Sequence, residues 1–380
     1  MTFWDDLTGQ ADAIESLRAA ASADPANSSM THSWLITGPP GSGRSNLAYA
    51  FAGALLARGD DDEATARQVA ARSHPDLAVL STERIIITID EVRSLVAASQ
   101  FSPSVGRYRV VVIEDADRMT ERTSNLLLKA LEEPPPRTVW ILCAPSEADL
   151  IPTIRSRVRS VRLRVPSVHD VAALLERRGV EPDTALVAAR EAQSHIGMAQ
   201  RLATNPEARA RRRTTLETAL GIRSVSDAVI AASTMLAVAG DDAKAITEER
   251  DAEERASALR SLGVEPGGTV PPALRSQLRA LDDDQKRRAT RSLRDGIDRI
   301  MVDLLSLYRD VLLLHLGVGD DLVNESIRPQ LEQAVTASTP ATTLAVMDAI
   351  SVARRRIESN VAPALALEAM LVAVSRHAVR

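Results

Sequence analysis

The stretch Gly38-Pro39-Pro40-Gly41-Ser42-Gly43-Arg44-Ser45 decides the fold of this chain. It follows an apolar run over 34–37, typical of a buried strand, and precedes a helical pattern that begins at Asn46. The phosphate-loop pattern G-x-x-x-x-G-K-[ST] matches except at Arg44, where lysine is usual. Glycines let backbone N–H groups turn toward phosphate oxygens, and the following helix start adds partial positive charge. All eight residues are therefore candidate nucleotide contacts, and the Ser45 hydroxyl is a candidate Mg²⁺ ligand.

Arg44 is the one departure from the phosphate-loop pattern. It keeps the positive charge, but a planar guanidinium on a longer stem does not replace a compact ammonium group. We therefore expect that ATP and Mg²⁺ can bind, with weakened handling of the terminal phosphate. The competing interpretation is an ordinary glycine turn before a helix, which the spacing and the flanking patterns disfavour.

A second candidate site follows the β-branched run 109–113, which is typical of a strand buried in a parallel sheet. The run ends in Glu114 and Asp115. Acidic residues at the carboxyl end of such a strand, downstream of a phosphate loop, suggest a Mg²⁺ and water-activating site. Glu114 is the candidate metal ligand there, and the alternative is a solvated acidic loop.

The pattern of elements predicts an α/β domain followed by helical domains. Strands and helices alternate over residues 1–165, which indicates a parallel sheet. The pattern is helical from Pro166 onward, and we predict a small helical domain over 166–212 and an all-helical domain over 213–380. Three finer expectations concern a polar link at 63–75, a short strand at 85–89, and separate helices at 227–239, 241–262 and 274–316.

Composition excludes several classes of function. The 380 residues carry a net charge of −5 and only 2% aromatic side chains, so neither a basic nucleic-acid coat nor a surface of stacked aromatics is expected. Cys143 is the single cysteine, which rules out a cysteine-rich zinc site. The six histidines show no metal-ligand spacing. No apolar run is long enough for a membrane span and the N-terminus is no secretory signal, so we expect a cytoplasmic protein.

Several motifs from residue 3 to about 202 together resemble the clamp-loader subunits of bacterial DNA polymerase III, within the AAA+ superfamily, and most closely the delta prime subunits. The motifs are Gly9-Gln10, the phosphate loop, the stretches 89–93 and 108–119, Asn125-Leu126-Leu127-Leu128-Lys129-Ala130-Leu131-Glu132-Glu133-Pro134-Pro135, and Pro152-Thr153-Ile154-Arg155-Ser156-Arg157. The resemblance implies an AAA+ domain, a helical lid domain and a helical collar domain. It also implies a hetero-oligomeric ring with gamma/tau and delta subunits, which meets the sliding clamp and primed DNA.

Departures from the family pattern all weaken hydrolysis. The family's Asp-Glu pair is Glu114-Asp115 here, and its polar sensor after the strand that contains Trp140 is Ala144. Gly197 stands where the family carries a second sensor arginine. The four-cysteine zinc module of many members must be absent.

Arg157 matches the arginine that, in the family, reaches the ATP of a neighbouring subunit. The resemblance therefore implies a structural subunit of the polymerase holoenzyme that donates Arg157 in trans and hydrolyses little ATP itself. Two alternatives stay open: an active gamma/tau-like ATPase motor, and a stand-alone AAA+ ATPase of recombination or helicase loading. For Arg157 alone, the competing interpretation is one more surface arginine in an arginine-rich segment.

Overall fold

The structure is a computed structural model that describes residues 3–4, 7–22, 30–59, 62–82, 86–261, 275–359 and 361–378. The chain forms two compact units, Met1–Thr204 and Asn205–Arg380. The predicted domain boundaries after residues 165 and 212 stay predictions; the helix that begins at Pro206 is continuous through residue 212.

The first unit is built on a parallel sheet of five strands. These are β1 Ser33–Thr37, β2 Leu77–Leu80, β3 Arg109–Ile113, β4 Thr138–Ala144 and β5 Arg159–Arg162. Their order is β2-β3-β4-β1-β5, and every pair of neighbours is parallel. All residues of β1 and β4 are buried, as expected for central strands covered on both faces.

Helices cover both faces of this sheet. The helices of the first unit are α1 Ala11–Ser22, α2 Arg44–Leu56, α3 Glu63–Ala70, α4 Ile89–Ser99, α5 Glu121–Glu132, α6 Pro152–Arg155, α7 Val168–Arg177, α8 Pro182–Glu191 and α9 Ile196–Thr204. Alternate side chains of a strand point to opposite faces. Accordingly Trp34 packs with Phe51 of α2, whereas Leu35 belongs to the core on the other face, with Leu127 of α5.

The second unit is helical, as predicted. Its helices are α10 Pro206–Leu220, α11 Val225–Ser261, α12 Arg275–His315, α13 Arg328–Thr336, α14 Pro340–Glu358 and α15 Pro363–Ala378. One core, which includes Met235, Ile297 and Leu307, is shared among these helices. The prediction of an α/β domain with a parallel sheet followed by a helical part is confirmed.

The structure corrects finer expectations. The polar link at 63–75 contains helix α3, because Asp62 caps its start by accepting from Thr65 N at 2.9 Å. The predicted strand at 85–89 is reduced to an isolated bridge at Ile87, with Ile85 outside the described residues. The predicted helices 227–239 and 241–262 are one helix, α11, whose described part ends at Ser261.

Asp76 organises the loop before β3 from a fully buried position. Its carboxylate accepts hydrogen bonds from Ser104 N at 2.6 Å, Ser104 Oγ at 2.9 Å, Val105 N at 2.6 Å and Gly106 N at 2.7 Å. Burial alone would raise the pKa of Asp76, but these hydrogen bonds outweigh it and lower the pKa to about 2.

We expect Asp76→Asn to lower the free energy of unfolding at pH 7 by about 2.5 kcal/mol, because the ionised form is the one these donors stabilise. A depressed folded-state pKa gives stability that is complete above the unfolded value, near 4, and lost as the pH falls toward about 2. Urea unfolding between pH 7 and pH 2.5 measures this. Asp90→Asn, at an exposed carboxylate, is the control, and an equal loss in both variants would contradict the prediction.

Candidate functional site

The phosphate loop lies between the carboxyl end of β1 and the start of α2. Gly43 is the N-cap of α2 with a left-handed φ of 92°, a conformation that favours glycine, and no side chain caps the helix. The first backbone bond into the helix is from Leu47 N to Gly43 O, at 2.9 Å. The preceding N–H groups therefore have no acceptor inside the helix, which is the geometry that an anion needs.

His195 packs directly on this loop. A Cβ added at Gly41 would lie 2.2 Å from the ring of His195, and Ile196 N donates to Gly41 O at 3.1 Å. The ring contact and this hydrogen bond hold the start of α9 against the phosphate loop. Gly197, which stands where the family's second sensor arginine is expected, lies in the first turn of this helix.

Arg44 turns back onto the loop itself. Its Nη1 donates to the carbonyl oxygen of Gly38. A lysine ammonium in a phosphate loop reaches the phosphates as a compact charge. In this structure, Nη1 of Arg44 is therefore already hydrogen-bonded to the backbone of the loop.

Glu114 follows the carboxyl end of β3, and its carboxylate is bound by two side chains. Tyr49 donates its hydroxyl to Glu114 Oε1, and Arg72 Nη2 lies 2.8 Å from the same oxygen. The Arg72 guanidinium also lies 5.1 Å above the Tyr49 ring. Burial and the bond to Glu114 raise the pKa of Tyr49, so Tyr49 stays a neutral donor.

Asp115, Asp117 and Ala144 are the remaining acidic and sensor positions. Asp115 Oδ2 lies 3.7 Å from Arg118 Nε. Burial raises the pKa of the neighbouring Asp117. Ala144, at the end of β4, is fully buried and pairs with Thr37 of β1, so the sensor position lies beside the loop with only a methyl group to offer.

The backbone of this site fits the phosphates of a nucleotide. The side chains fit Mg²⁺-assisted hydrolysis poorly, because Glu114 Oε1 is already paired with Arg72 and hydrogen-bonded by Tyr49, and Ala144 has no side-chain hydrogen-bonding group. Hence the loop and the acidic pair follow strand ends at the same edge of the sheet, and one oxygen of Glu114, the candidate metal ligand, is already occupied by two protein donors.

Arg157 lies at the opposite end of the sheet. It directly precedes β5, whose first residue, Arg159, is paired with Trp34 near the start of β1. The phosphate loop follows the end of β1. A strand of this length spans roughly 16 Å at about 3.3 Å per residue, so Arg157 and the loop of the same chain are not brought together.

Arg157 is held by a carboxylate from α5. Its Nε donates to Glu132 Oε1 at 2.6 Å, and its Nη2 donates to the same oxygen. Its Nη1 donates to Thr153 O at 2.7 Å and to Ser156 Oγ at 3.1 Å. The segment before β5 therefore presents a fixed guanidinium.

The residues that engage the predicted site residues were not singled out from the sequence. They are Tyr49, Arg72, Glu132 and His195. Glu132 carried a signal, because it lies in the motif Leu131-Glu132-Glu133-Pro134-Pro135. Arg72 carried none, since its partner Glu114 is far along the chain.

Two further features bear on metal binding and on membrane insertion. Within the described residues, no three His, Cys, Asp or Glu side chains are grouped as a metal site would require. Across the described ranges, none of the helices combines the length and apolarity needed to cross a bilayer.

Residues 9–167 match the family model described as "DNA polymerase III, delta subunit". DNA polymerase III subunit delta' of Pseudomonas aeruginosa is 40% identical over 134 residues, which is 33% of this chain and 41% of that protein. DNA polymerase III subunit gamma/tau of Mycobacterium bovis is 28% identical over 192 residues, 48% of this chain and 32% of that protein. The matches thus span less than half the length of these relatives.

A solved structure is similar over almost the whole chain. It is a DNA polymerase III gamma subunit-related protein of Thermotoga maritima, with 18% identity, a TM-score of 0.43, and coverage of 97% of this chain and 100% of that one. Residues 9–167 are thus similar to the delta and delta' subunits of DNA polymerase III.

Proposed function

We propose, from the similarity of residues 9–167 to delta' subunits, that the chain is a clamp-loader component of DNA polymerase III. It acts as a structural subunit of a hetero-oligomeric cytoplasmic ring with gamma/tau and delta subunits. The ring loads the sliding clamp onto primed DNA. The chain donates Arg157 to the ATP of a neighbouring subunit, and its own hydrolysis is weak or absent.

The position of Arg157 carries this proposal. Since it precedes β5 while the phosphate loop follows β1, the guanidinium and the loop occupy opposite ends of the sheet. A phosphate reached by Arg157 must therefore belong to another subunit. A guanidinium supplied in trans stabilises the charge that develops on a transferring phosphoryl group.

The state of Glu114 supports weak hydrolysis by the chain itself. Its carboxylate is bound by Arg72 and Tyr49, and Ala144 replaces the polar sensor. The loop can still hold the phosphates of ATP, with Ser45 as the remaining Mg²⁺ candidate. The chain would then bind nucleotide without turning it over.

An active motor is the second candidate. The similarity to the gamma/tau subunit of Mycobacterium bovis, 28% over 192 residues, favours it. The engaged Glu114 and the guanidinium of Arg44 on Gly38 O argue against it.

Reconstitution separates the two candidates. We expect the purified chain to show no ATP turnover above that of a Ser45→Ala variant, and to be required for clamp loading when added to gamma/tau and delta subunits. The measurements are phosphate release by the chain alone and transfer of labelled clamp to primed DNA. Turnover by the chain alone that Ser45→Ala abolishes would establish the motor. A complex that loads clamps equally well without the chain would contradict both.

A further inference from the structure

We propose that Glu132 is the positioning residue of Arg157. It fixes the guanidinium in the orientation in which that group meets the phosphates of a neighbouring subunit. This inference rests on the proposed trans role of Arg157 and adds a second residue to it. The observation that carries it is the set of hydrogen bonds around the guanidinium.

Four of the five guanidinium N–H groups of Arg157 are used within the chain. Glu132 Oε1 accepts from Nε and from Nη2, and the two hydrogens of Nη1 are taken by Thr153 O and Ser156 Oγ. Among the described residues, one Nη2 hydrogen is left for an external acceptor. The side chain thus has one defined orientation and one N–H to offer.

Stability alone does not explain this arrangement. The side chains of Arg157 and Glu132 are 29% and 47% exposed, and ion pairs in such positions contribute little to folding. What the contacts remove is the rotational freedom of a long, flexible side chain. An arginine that is already ordered loses less entropy when it meets a phosphate, which favours the transition state.

The position of Glu132 follows from the end of α5. Prolines 134–136 cannot continue a helix, so α5 ends at Glu132. Glu132 is therefore held by regular helix, on an element that packs against α6, which precedes Arg157. Glu133 is the C-cap, with φ −129°, and among the described residues it forms no ion pair.

The experiment compares Glu132→Ala with Glu133→Ala in the assembled complex. The adjacent exposed carboxylate changes the local charge equally but does not touch Arg157. ATP turnover is measured with the other subunits' phosphate loops inactivated, so that only the site facing Arg157 reports. We expect Glu132→Ala to lower kcat by roughly 10- to 30-fold with little change in KM, because an unordered arginine loses rotamer entropy on reaching the phosphate.

Two further variants complete the test. Glu132→Gln keeps an acceptor oxygen and should retain most of the turnover, whereas Arg157→Ala with Glu132→Ala should be no slower than Arg157→Ala alone. Equal turnover of Glu132→Ala and Glu133→Ala, or faster turnover of Glu132→Ala, would overturn the inference while leaving the trans role of Arg157 intact. If Arg157→Ala does not lower ATP turnover, both the trans role of Arg157 and the positioning role of Glu132 are overturned. A thermal midpoint shared by Glu132→Ala and Glu133→Ala shows that the loss is not one of folding.

Discussion

Arg157→Ala is expected to lower ATP turnover at the neighbouring subunit's site by about 10³-fold or more, within the range of roughly 10³ to 10⁵ for arginine fingers. The physical reason is the loss of a positive charge at the oxygens that gain negative charge during phosphoryl transfer. The chain's own fold should be unaffected, since the side chain is partly exposed and its hydrogen bonds within the described residues are to Glu132, Thr153 and Ser156.

The matched control is Arg155→Ala, an exposed arginine two residues earlier in α6. Single-turnover phosphate release by the assembled complex gives the rate, and nucleotide binding to the complex is measured separately. A loss of equal size in both variants would indicate a general electrostatic effect of this arginine-rich segment. No loss in Arg157→Ala would contradict the trans role.

The second large effect is on folding of the helical unit. Asp310 of α12 is fully buried, and its carboxylate accepts from Asn324 N at 2.7 Å, Asn324 Nδ2 at 2.9 Å and Val323 N at 3.2 Å. The network continues through Asn324 Oδ1, which accepts from Arg212 of α10 at 2.6 Å, and Arg212 Nε donates to Asp303 at 3.1 Å. This network ties the loop before α13 to α10 and α12.

We expect Asp310→Ala to lower the free energy of unfolding by about 3–5 kcal/mol, because it leaves buried donors without an acceptor. Asp298→Ala is the control on the same helix. Asp298 forms a half-exposed pair with Arg354, whose loss should cost less than about 1 kcal/mol. Urea unfolding monitored by circular dichroism measures both variants, and similar losses would show that burial of the Asp310 network adds nothing.

Local signals in the sequence were sufficient for the fold class. The spacing of glycines over 38–43 located a turn between strand and helix, and the β-branched run 109–113 located a central strand. Both depend on the conformational preferences of a few consecutive residues. The errors were also local: helix α3 was missed because its polar, alanine-rich sequence resembles a link, although Asp62 caps it.

The residues of the candidate site that depart from the family pattern could be predicted from the sequence, but their hydrogen bonds and ion pairs could not. Arg44, Glu114 and Ala144 depart from the family pattern, and these departures are visible in the sequence. That Arg72 forms an ion pair with Glu114 and Tyr49 donates a hydrogen bond to it was not visible. The three residues lie on different elements, and only the packing of those elements in the folded chain brings them within hydrogen-bonding distance.

The sequence by itself determined most of the elements and the candidate side chains: the loop, the acidic pair, Arg157, and a helix that must end before Pro134. Only the tertiary structure decided how these side chains are used. It placed Arg157 and the phosphate loop at opposite ends of the sheet and paired Glu132, not Glu133, with the guanidinium. The physical reason is that helix and turn preferences act over a few neighbouring residues, whereas hydrogen bonds and ion pairs between elements depend on how the parallel sheet packs.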